Sequence, residues 1–287
     1  MGLDDLSDGT TENLRDLPDV HLVEADLRDE EAVRRAADGC EAILHHAAMK
    51  SVPRSIRMPG PFTDVNVRGT LNVLLAARVR GAAVVFASSS SVYGDQEVFP
   101  VREDMDPRPR SPYAATKLAG EGLCRSWWHS YSVPVVAYRY FNVYGPGQDP
   151  ASEYAAVIPR FTVACLRGEA PVIYGDGEQA RDFTYIDDVV EANLLAARSP
   201  ERAAGRVLNI AGGAKPTSIN RLLGMIAEEV GVHPEPIHEP PREGDIRVSE
   251  ADISLASELI GYDPRVAIDD GIRRTVAWFR DRVALTG

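Results

Sequence analysis

Short apolar runs alternate with helical patterns along the first half of the chain, and this alternation restricts the fold more than any other feature of the sequence. Four runs rich in valine, alanine and isoleucine cover residues 21–27, 42–48, 84–90 and 135–142. Such runs are typical of strands buried on both faces of a parallel sheet. Helical patterns occupy residues 30–38, 62–80 and 113–131, between the runs. This order predicts an α/β fold with a doubly wound parallel sheet.

The composition changes after residue 145, where proline and glycine become frequent and a more irregular region is expected. Residues 187–198 and 207–211 predict a helix and a strand that return to the first region. Residues 218–230 and 269–282 predict amphipathic helices, and 234–241 an extended loop. The sequence thus predicts a first domain of residues 1–145, onto which 183–212 pack back, and a smaller mixed α/β domain of 146–182 and 213–287.

Charge and cysteine content argue against several classes of partner. The formal net charge of −12 disfavours binding to nucleic acid or to an anionic membrane. No apolar stretch reaches about 18 residues, and no signal peptide is recognisable. The three cysteines, Cys40, Cys124 and Cys165, show neither a disulfide pattern nor zinc spacing. We therefore expect no metal site and a cytoplasmic protein with reduced thiols.

Two polar motifs stand where the third apolar run ends and the next helix begins. Ser88 to Ser91 close the run, and Tyr113 and Lys117 follow one helical turn apart. Ser111 and Pro112 are suitable residues for the start of that helix. A phenol normally titrates near pH ~10, but a neighbouring ammonium favours the phenolate. The pattern indicates a base that removes a proton from an alcohol, although an ordinary amphipathic helix explains Tyr-x-x-x-Lys when it occurs alone.

Further motifs follow in a fixed order: His46-Ala47-Ala48, Asn66-Val67-Arg68-Gly69-Thr70, Arg139-Tyr140-Phe141-Asn142-Val143-Tyr144-Gly145-Pro146, Gly175-Asp176-Gly177, Arg181-Asp182-Phe183-Thr184-Tyr185-Ile186-Asp187-Asp188 and Arg242-Glu243-Gly244-Asp245. Through them the chain resembles the extended short-chain dehydrogenase/reductases, specifically the NAD-dependent nucleotide-sugar epimerases and dehydratases. The resemblance extends from residue 3 to about residue 279. It implies a Rossmann-like first domain that binds NAD and a second domain that binds a nucleotide sugar.

The resemblance also implies roles for individual residues. Ser89 matches the hydroxyl that bridges the substrate and the catalytic tyrosine, so the implied catalytic residues are Ser89, Tyr113 and Lys117. The implied cofactor-binding residues are Asp4, Asp26, Leu27, Ala47, Ala48, Lys50, Asn66, Tyr113, Lys117 and Phe141. The implied substrate-binding residues are Ser89, Ser90, Asn142, Arg181, Arg242, Asp245 and Ser249, with the two arginines on a pyrophosphate.

Several of these residues have a plain structural alternative. Asp26 also suits the neighbourhood of a helix N-terminus, Asn66 a buried hydrogen-bonded site, and Lys50 a solvated loop. Arginines on an acidic protein are usually surface residues, and a serine at position 249 also suits an exposed strand. These alternatives remain open at the level of sequence.

The expected reaction is inversion at C4 of a UDP-hexose or UDP-N-acetylhexosamine through a transient 4-keto sugar. Dehydratases of the family carry an Asp-Glu pair where this chain has Ser90 and Ser91, which makes dehydration the weaker expectation. A small residue such as Ser249 leaves room for a 2-acetamido group, where the family can carry a tyrosine. The alternatives are a nucleotide-sugar dehydratase or reductase, and a catalytically impaired, shortened homologue.

One family element is not found in the sequence. Members open with a strand, a Gly-x-x-Gly-x-x-Gly turn and a helix, followed by an acidic residue that holds the adenosine ribose. Residues 3–7 match the end of the second strand, with Asp4 as the acidic residue, and no such glycine motif occurs. We therefore expect the first βα unit to be absent and pyrophosphate binding to be weakened. A misassigned start, a shortened polypeptide and a natural remnant all explain this.

The resemblance finally implies a homodimer in which the helices of residues 62–80 and 113–131 form the interface. The aromatic residues Trp127, Trp128 and Tyr131 suit either that interface or the core.

Overall fold

The computed structural model describes residues 1–150, 156–241 and 246–283. The strands within these residues are β1 (Gly2–Asp4), β2 (Leu22–Glu24), β3 (Ala42–His45), β4 (Ala83–Ser89), β5 (Val135–Tyr140), β6 (Val143–Tyr144), β7 (Val172–Tyr174), β8 (Ala180–Arg181), β9 (Thr184–Tyr185), β10 (Val207–Ile210), β11 (Thr217–Ser218), β12 (Ile237–Glu239) and β13 (Val248–Ser249). The helices are α1 (Glu30–Ala36), α2 (Val52–Arg57), α3 (Pro59–Thr63), α4 (Gly69–Arg80), α5 (Pro112–Tyr131), α6 (Val157–Arg167), α7 (Ile186–Arg198), α8 (Ile219–Val230), α9 (Ser254–Ile260) and α10 (Ile268–Val283).

The main sheet is parallel, in the order β10-β5-β4-β3. Strands β1 and β2 form a separate parallel pair. Helices cover both faces of the main sheet, which confirms the predicted α/β architecture. Because the strands are parallel, their carboxyl ends meet at one edge, where ligands bind in folds of this type.

Alternate residues of the strands supply the cores on the two faces of the sheet. Val84 and Phe86 of β4 pack with Leu74 of α4. Val85 lies in the opposite core with Ala192 of α7 and Ile260 of α9. Complete burial of side chains of this size contributes about 1.5–3 kcal/mol each. Helix α9 thus packs on the main sheet although the predicted boundaries place it in the second domain, and the division into domains stays a prediction.

Helix α5 begins where the local sequence predicts. The Ser111 side chain accepts a hydrogen bond from the Ala114 N–H at 3.2 Å, and Pro112 occupies the first turn. The helix ends at Tyr131, and the capping residue Ser132 has a left-handed φ of 55°. The cap stabilises the helix by about 1 kcal/mol, and it fixes the position of the residues that follow.

The helix expected over residues 62–80 is instead three segments. Helix α3 leads into a π-helical turn, Asp64–Arg68, before α4 begins. The side chain of Asn66, in this turn, bonds to Met49 and Thr116. The widened turn thus carries a side chain that joins two other segments of the chain. Turns of this kind, called π-bulges, are often found at functional sites.

The second region packs around its own core. Phe161 of α6, Leu222 of α8 and Val276 of α10 form its centre. The predicted extended loop of 234–241 is partly wrong, because it contains β12, which pairs with β7. Helix α6 was not predicted from the sequence, because Pro159 indicates an irregular segment. Proline is nevertheless tolerated in the first helical turn, where Pro159 lies.

Two of the three thiols are buried in these cores, Cys124 and Cys165, while Cys40 is half-buried and all three are free. Among the residues that the structure describes, no helix combines the length and the apolar character needed to cross a bilayer.

Candidate active site

The predicted catalytic residues meet at the carboxyl edge of the main sheet. Ser89 is the last residue of β4, and a 3₁₀ turn, Ser90–Tyr93, follows it. Tyr113 lies in the first turn of α5 and is hydrogen-bonded to Ser89. Lys117, one turn further, points its ammonium to within 5.9 Å of the Tyr113 ring centroid. The structure thus brings Ser89, Tyr113 and Lys117 together.

The hydroxyls around Ser89 are ordered in one direction. The Ser91 hydroxyl donates to Ser89 Oγ at 2.9 Å, and the Ser91 N–H donates to the same oxygen at 3.2 Å. Because Ser89 Oγ accepts both bonds, its own proton is available for the Tyr113 oxygen. Ser89 therefore acts as a donor toward the phenol, and a donor at that position favours the phenolate.

Burial dominates the charge state of the phenol. It raises the pKa of Tyr113 above its ordinary value, and the hydrogen bond with Ser89 acts in the opposite direction. The expected lowering by Lys117 is not present in this arrangement, where the ammonium lies beside the ring and bonds elsewhere. A bound group that brings positive charge to this edge of the sheet would supply the missing contribution.

Lys117 is buried with its charge. Burial lowers the pKa of the Lys117 ammonium from 10.5 to about 8. Its Nζ donates to the Ala87 carbonyl at 2.7 Å. Among the described residues this is the single protein acceptor of an ammonium that has three donors. Buried donors without partners fit a polar ligand such as the hydroxyls of a ribose.

Asn66, expected near the cofactor, has the role of a buried hydrogen-bonded residue. Its Oδ1 accepts from the Met49 N–H at 2.8 Å, and its Nδ2 donates to the Met49 carbonyl and to Thr116 Oγ1, both at 3.0 Å. Both amide protons are therefore in use. Asn66 shapes the segment after β3 and joins it to α5, and direct contact with a cofactor stays a prediction.

The remaining residues predicted to bind the cofactor lie in several different segments of the chain. Asp4 ends β1, and its carboxylate accepts from the Leu6 N–H at 2.7 Å. Asp26 pairs with Arg28 at 2.6 Å, which lowers the pKa of its carboxyl. Leu27 is buried, Ala47 and Ala48 are half-buried after β3, and Lys50 is exposed.

The Phe141 ring is not brought to the cleft. It is 1% exposed and packs against Tyr93, with 6.2 Å between the ring centroids. Its carbonyl accepts from Thr184 Oγ1 at 2.6 Å. Its contribution in this structure is therefore to the core, and cofactor contact stays a prediction.

A cavity of about 230 Å³ lies between β6, α6 and β8. Asn142 and Arg181, two predicted substrate residues, line it. Sequence reasoning gave no role to three further polar lining residues, Tyr174, Gln179 and Arg160. The Gly175-Asp176-Gly177 motif lies between the first two and marks this wall of the cavity.

Asn142 is held in an uncommon backbone conformation, with φ of 32°. Its Nδ2 donates to the Asp182 carbonyl at 2.9 Å. Asparagine tolerates the left-handed region better than most residues. The turn lets the chain leave β5 and enter the cavity wall at once.

Ser249 lies directly beside Arg181. The two residues are partners in the parallel ladder of β13 and β8, so their side chains project from the same face. Ser249 is buried rather than exposed, which excludes the alternative of an exposed strand residue. The predicted residues Arg242 and Asp245 lie outside the described residues.

Asp182 joins the substrate residues to the main sheet. It is 2% exposed, and its carboxylate accepts from the Gly212 N–H at 3.0 Å. Its own N–H donates to the Ser249 carbonyl at 2.9 Å. Burial raises the pKa of Asp182 to about 7. Sequence reasoning included this residue in a motif without giving it a role.

Comparison with known proteins gives consistent results. The model of the NAD dependent epimerase/dehydratase family matches residues 2–211. A UDP-glucose 4-epimerase of Mycolicibacterium smegmatis is 40% identical over 288 residues, which cover 98% of this chain and 91% of that protein.

Solved structures are equally similar. A UDP-N-acetylglucosamine 4-epimerase from Methanobrevibacter ruminantium, in complex with UDP-N-acetylmuramic acid, has a TM-score of 0.92 and 38% identity, covering 98% of this chain and 90% of that one. A UDP-glucose 4-epimerase from Thermus thermophilus, in complex with NAD, has a TM-score of 0.87 and 37% identity, covering 97% and 90%.

Proposed function

The chain belongs to the NAD dependent epimerase/dehydratase family, and from this premise we propose that it is a UDP-sugar 4-epimerase. The reaction inverts C4 of a UDP-hexose through a transient 4-keto sugar. The observation that carries the proposal is the hydrogen-bonded Ser89 and Tyr113 beside the buried Lys117, in a chain 40% identical to a UDP-glucose 4-epimerase.

The residues of the chain divide the work of the reaction between them. Tyr113 takes the proton of the sugar 4-hydroxyl at its phenolic oxygen and returns it after inversion. Ser89 aligns that hydroxyl with the phenol and donates to the phenolate. Lys117 supplies positive charge beside the ring. Bound NAD supplies the acceptor and the donor of the hydride.

NAD fits the residues present at the nicotinamide end of the cleft. The unfilled donors of Lys117 suit ribose hydroxyls, and Tyr113 lies beside them. Asp4, at the carboxyl end of β1, would hold the adenosine ribose, and Asp26 the adenine. To hold the adenine, the Asp26 carboxylate would have to bond to it in addition to Arg28, its present partner.

The nucleotide sugar would occupy the cavity of Asn142 and Arg181. A guanidinium matches two phosphate oxygens at once, so Arg181 would hold the pyrophosphate together with Arg242. Asp245 would hold the ribose of the nucleotide, and Ser90 would contact the sugar. The small, buried Ser249 beside Arg181 supports acceptance of UDP-N-acetylglucosamine as well as UDP-glucose.

We further propose that the protein is a cytoplasmic homodimer. Val79 of α4 and Tyr131 of α5 are 69% and 43% exposed, and these helices would form the interface. Trp127 instead donates to the Leu74 carbonyl at 3.0 Å and packs toward the core. Sedimentation of the wild type and of Val79→Asp tests the dimer, because a charge at the interface should shift the protein to monomers.

Tyr113→Phe tests the reaction. The variant keeps the ring but loses the base, so interconversion of UDP-glucose and UDP-galactose should fall to a small fraction of the wild-type rate. Tyr262→Phe is the matched control and should leave the rate unchanged, because its buried hydroxyl donates to the Ala211 carbonyl at 2.9 Å, its one hydrogen bond within the described residues. A Tyr113→Phe variant that retains the rate would show that the base is elsewhere. A 4-keto-6-deoxy product would favour the dehydratase alternative.

A further inference from the structure

Three residues on one face of α5, each one turn from the next, bond to three consecutive residues at the end of β4. The helix residues are Tyr113, Lys117 and Glu121. Tyr113 bonds to Ser89, and Lys117 donates to the Ala87 carbonyl. The residue between them, Ser88, donates its hydroxyl to Glu121 Oε1 at 2.5 Å. The catalytic pair thus shares its helix face and its strand with a third contact that the reaction does not use.

Glu121 is also held from the neighbouring strand. Arg139 Nε donates to Glu121 Oε1 at 2.9 Å, and Arg139 Nη2 donates to Oε2 at 2.7 Å. The side chains of this ion pair are 4% and 5% exposed. Arg139 and Ser88 are partners in the ladder of β5 and β4, so both reach Glu121 from the same face of the sheet.

Stability alone explains this arrangement poorly. Desolvation of a buried ion pair often offsets its attraction, and apolar residues of similar volume can replace such pairs without loss of stability. A forked, bidentate contact instead specifies position, because both donors are satisfied in one geometry only. The contact lies directly behind the pair that performs the chemistry.

We propose that Glu121 is a positioning residue, which Ser88 and Arg139 hold so that α5 keeps the register along β4 that places Tyr113 against Ser89. The proposal rests on the proposed 4-epimerase function. It assigns no contact with substrate or cofactor to Glu121. Loss of the contact should let the helix shift, which weakens the Ser89 bond and raises the pKa of Tyr113.

Other titratable groups face this cluster. Cys124 lies beside Glu121 and Lys117 on α5. Burial raises the pKa of its thiol above the ordinary value, so the thiol stays protonated near neutral pH. Tyr93 and Glu103 lie near Arg139, whose guanidinium carbon is 4.5 Å from the centroid of the Tyr93 ring. His45 and His46 face Lys117, and burial lowers the pKa of His45 to about 3. Burial therefore keeps His45, Cys124 and Tyr93 in one charge state near neutral pH. Lys117, with a pKa of about 8, and Glu103, whose pKa burial raises, also titrate, so direct titration of Tyr113 decides the origin of a shifted acid limb.

Ser88→Ala is the decisive variant, with Tyr138→Phe as its matched control. Tyr138 neighbours Arg139 on β5, and its buried hydroxyl donates to the Ala192 carbonyl at 2.9 Å, with no other hydrogen bond in the part of the chain that the structure describes. Ser88→Ala should lower kcat about 10- to 100-fold, as a displacement of about 1 Å does, and leave KM within a few-fold. The acid limb of the kcat profile should move to higher pH. Tyr138→Phe should leave kcat and the profile unchanged, and Ser88→Thr should restore both.

A double variant separates positioning from stabilisation. Glu121→Leu combined with Arg139→Met removes both charges and should fold, with kcat as low as in Ser88→Ala. Wild-type kcat in Ser88→Ala, or in the folded double variant, would overturn the proposal. Tyrosine absorbance titration of the ligand-free proteins, with Tyr113→Phe as reference, measures the Tyr113 pKa without turnover. If the wild type lacks epimerase activity, the proposed function fails, while an unchanged Tyr113 pKa in Ser88→Ala refutes the positioning itself.

Discussion

Replacing Lys117 by methionine should remove the contribution that this side chain makes to the pH dependence of stability in the ligand-free protein. Lys117 is 5% exposed, and burial lowers the pKa of its ammonium from 10.5 to about 8. Methionine is unbranched and flexible, so it should occupy the same channel. The variant removes the buried charge of the ammonium.

The magnitude follows from the two pKa values. Between pH 8 and pH 10.5 the unfolded chain keeps a proton that the folded protein has released, so the stability of the wild type rises with pH in this window. Below pH 8 the unfavourable burial of the charge is complete, at about 3 kcal/mol. The loss of the charged bond to the Ala87 carbonyl offsets about 1–3 kcal/mol of the gain in the variant. The net difference at pH 7 is therefore small, whereas its change between pH 7 and pH 10 should be about 2–3 kcal/mol.

Urea unfolding without cofactor, at pH 7 and at pH 10, measures this change. The wild type should gain about 2–3 kcal/mol relative to Lys117→Met over that interval. Lys215→Met is the control, because Lys215 is exposed and its removal should leave the pH dependence of the wild type unaltered. The chain has three lysines, at positions 50, 117 and 215, so NMR of ¹³C-labelled lysine side chains should resolve the Lys117 pKa directly.

If the stability of the wild type and that of Lys117→Met changed equally between pH 7 and pH 10, the reasoning would be refuted. It would mean that the Lys117 ammonium is solvated or paired when no ligand is bound. A Lys117 signal that titrates near 10.5 would lead to the same conclusion.

Three further predictions concern packing, specificity and pH. Gly120→Ala should lower stability by about 1–3 kcal/mol in urea unfolding, because the added Cβ would stand 2.3 Å from Cζ of Phe86. Ser249→Tyr should remove activity on UDP-N-acetylglucosamine and spare UDP-glucose, measured as kcat/KM for both, since a packed pocket has no spare volume for a ring and an acetamido group. As the pH rises from 4 to 7, the wild type should lose at most about 4 kcal/mol of stability through Asp182, and Asp182→Asn should abolish this loss. The sign is set by the pKa of about 7 in the folded protein, because the folded state there holds a proton that the unfolded chain releases.

Each of these has a clear counter-result. Gly122→Ala adds the same methyl group to the same helix where nothing lies within 4 Å, and it should stabilise by about 1 kcal/mol; equal effects of the two alanines would contradict the steric argument. Equal losses for both sugars in Ser249→Tyr would remove Ser249 from the pocket. A wild type as stable at pH 7 as at pH 4.5, relative to Asp182→Asn, would show that the carboxylate is solvated.

Local signals made part of the site predictable. The cap at Ser111, the proline that follows and the spacing of Tyr113 and Lys117 are all contained in seven residues, so the structure confirms the start of α5. The alternating apolar runs likewise predicted the parallel sheet, because burial on both faces leaves the same signature in each strand.

What escaped prediction depends on partners far away in the sequence. The π-helical turn coincides with bonds from Asn66 to residues 17 and 50 positions away. Strands β8 and β13 have two residues each, and only their pairing makes them strands. In the sequence Glu121 resembles an ordinary helix residue, because its partner Arg139 is 18 positions away and only the fold brings the two together. The sequence motif does not indicate that the backbone turns at Asn142 and leaves the Phe141 ring in the core, while contact of Phe141 with the cofactor stays a prediction.

The separation of β1 and β2 from the main sheet bears on how the protein must be handled. Within the described residues, β1 and β3 each pair on one side only, and Leu44 of β3 is 44% exposed. Unpaired strand edges beside apolar side chains are templates for pairing with other chains. Concentrated solutions should therefore scatter light increasingly with time. Leu44→Lys should slow that growth, since a charged residue on an edge strand opposes such pairing.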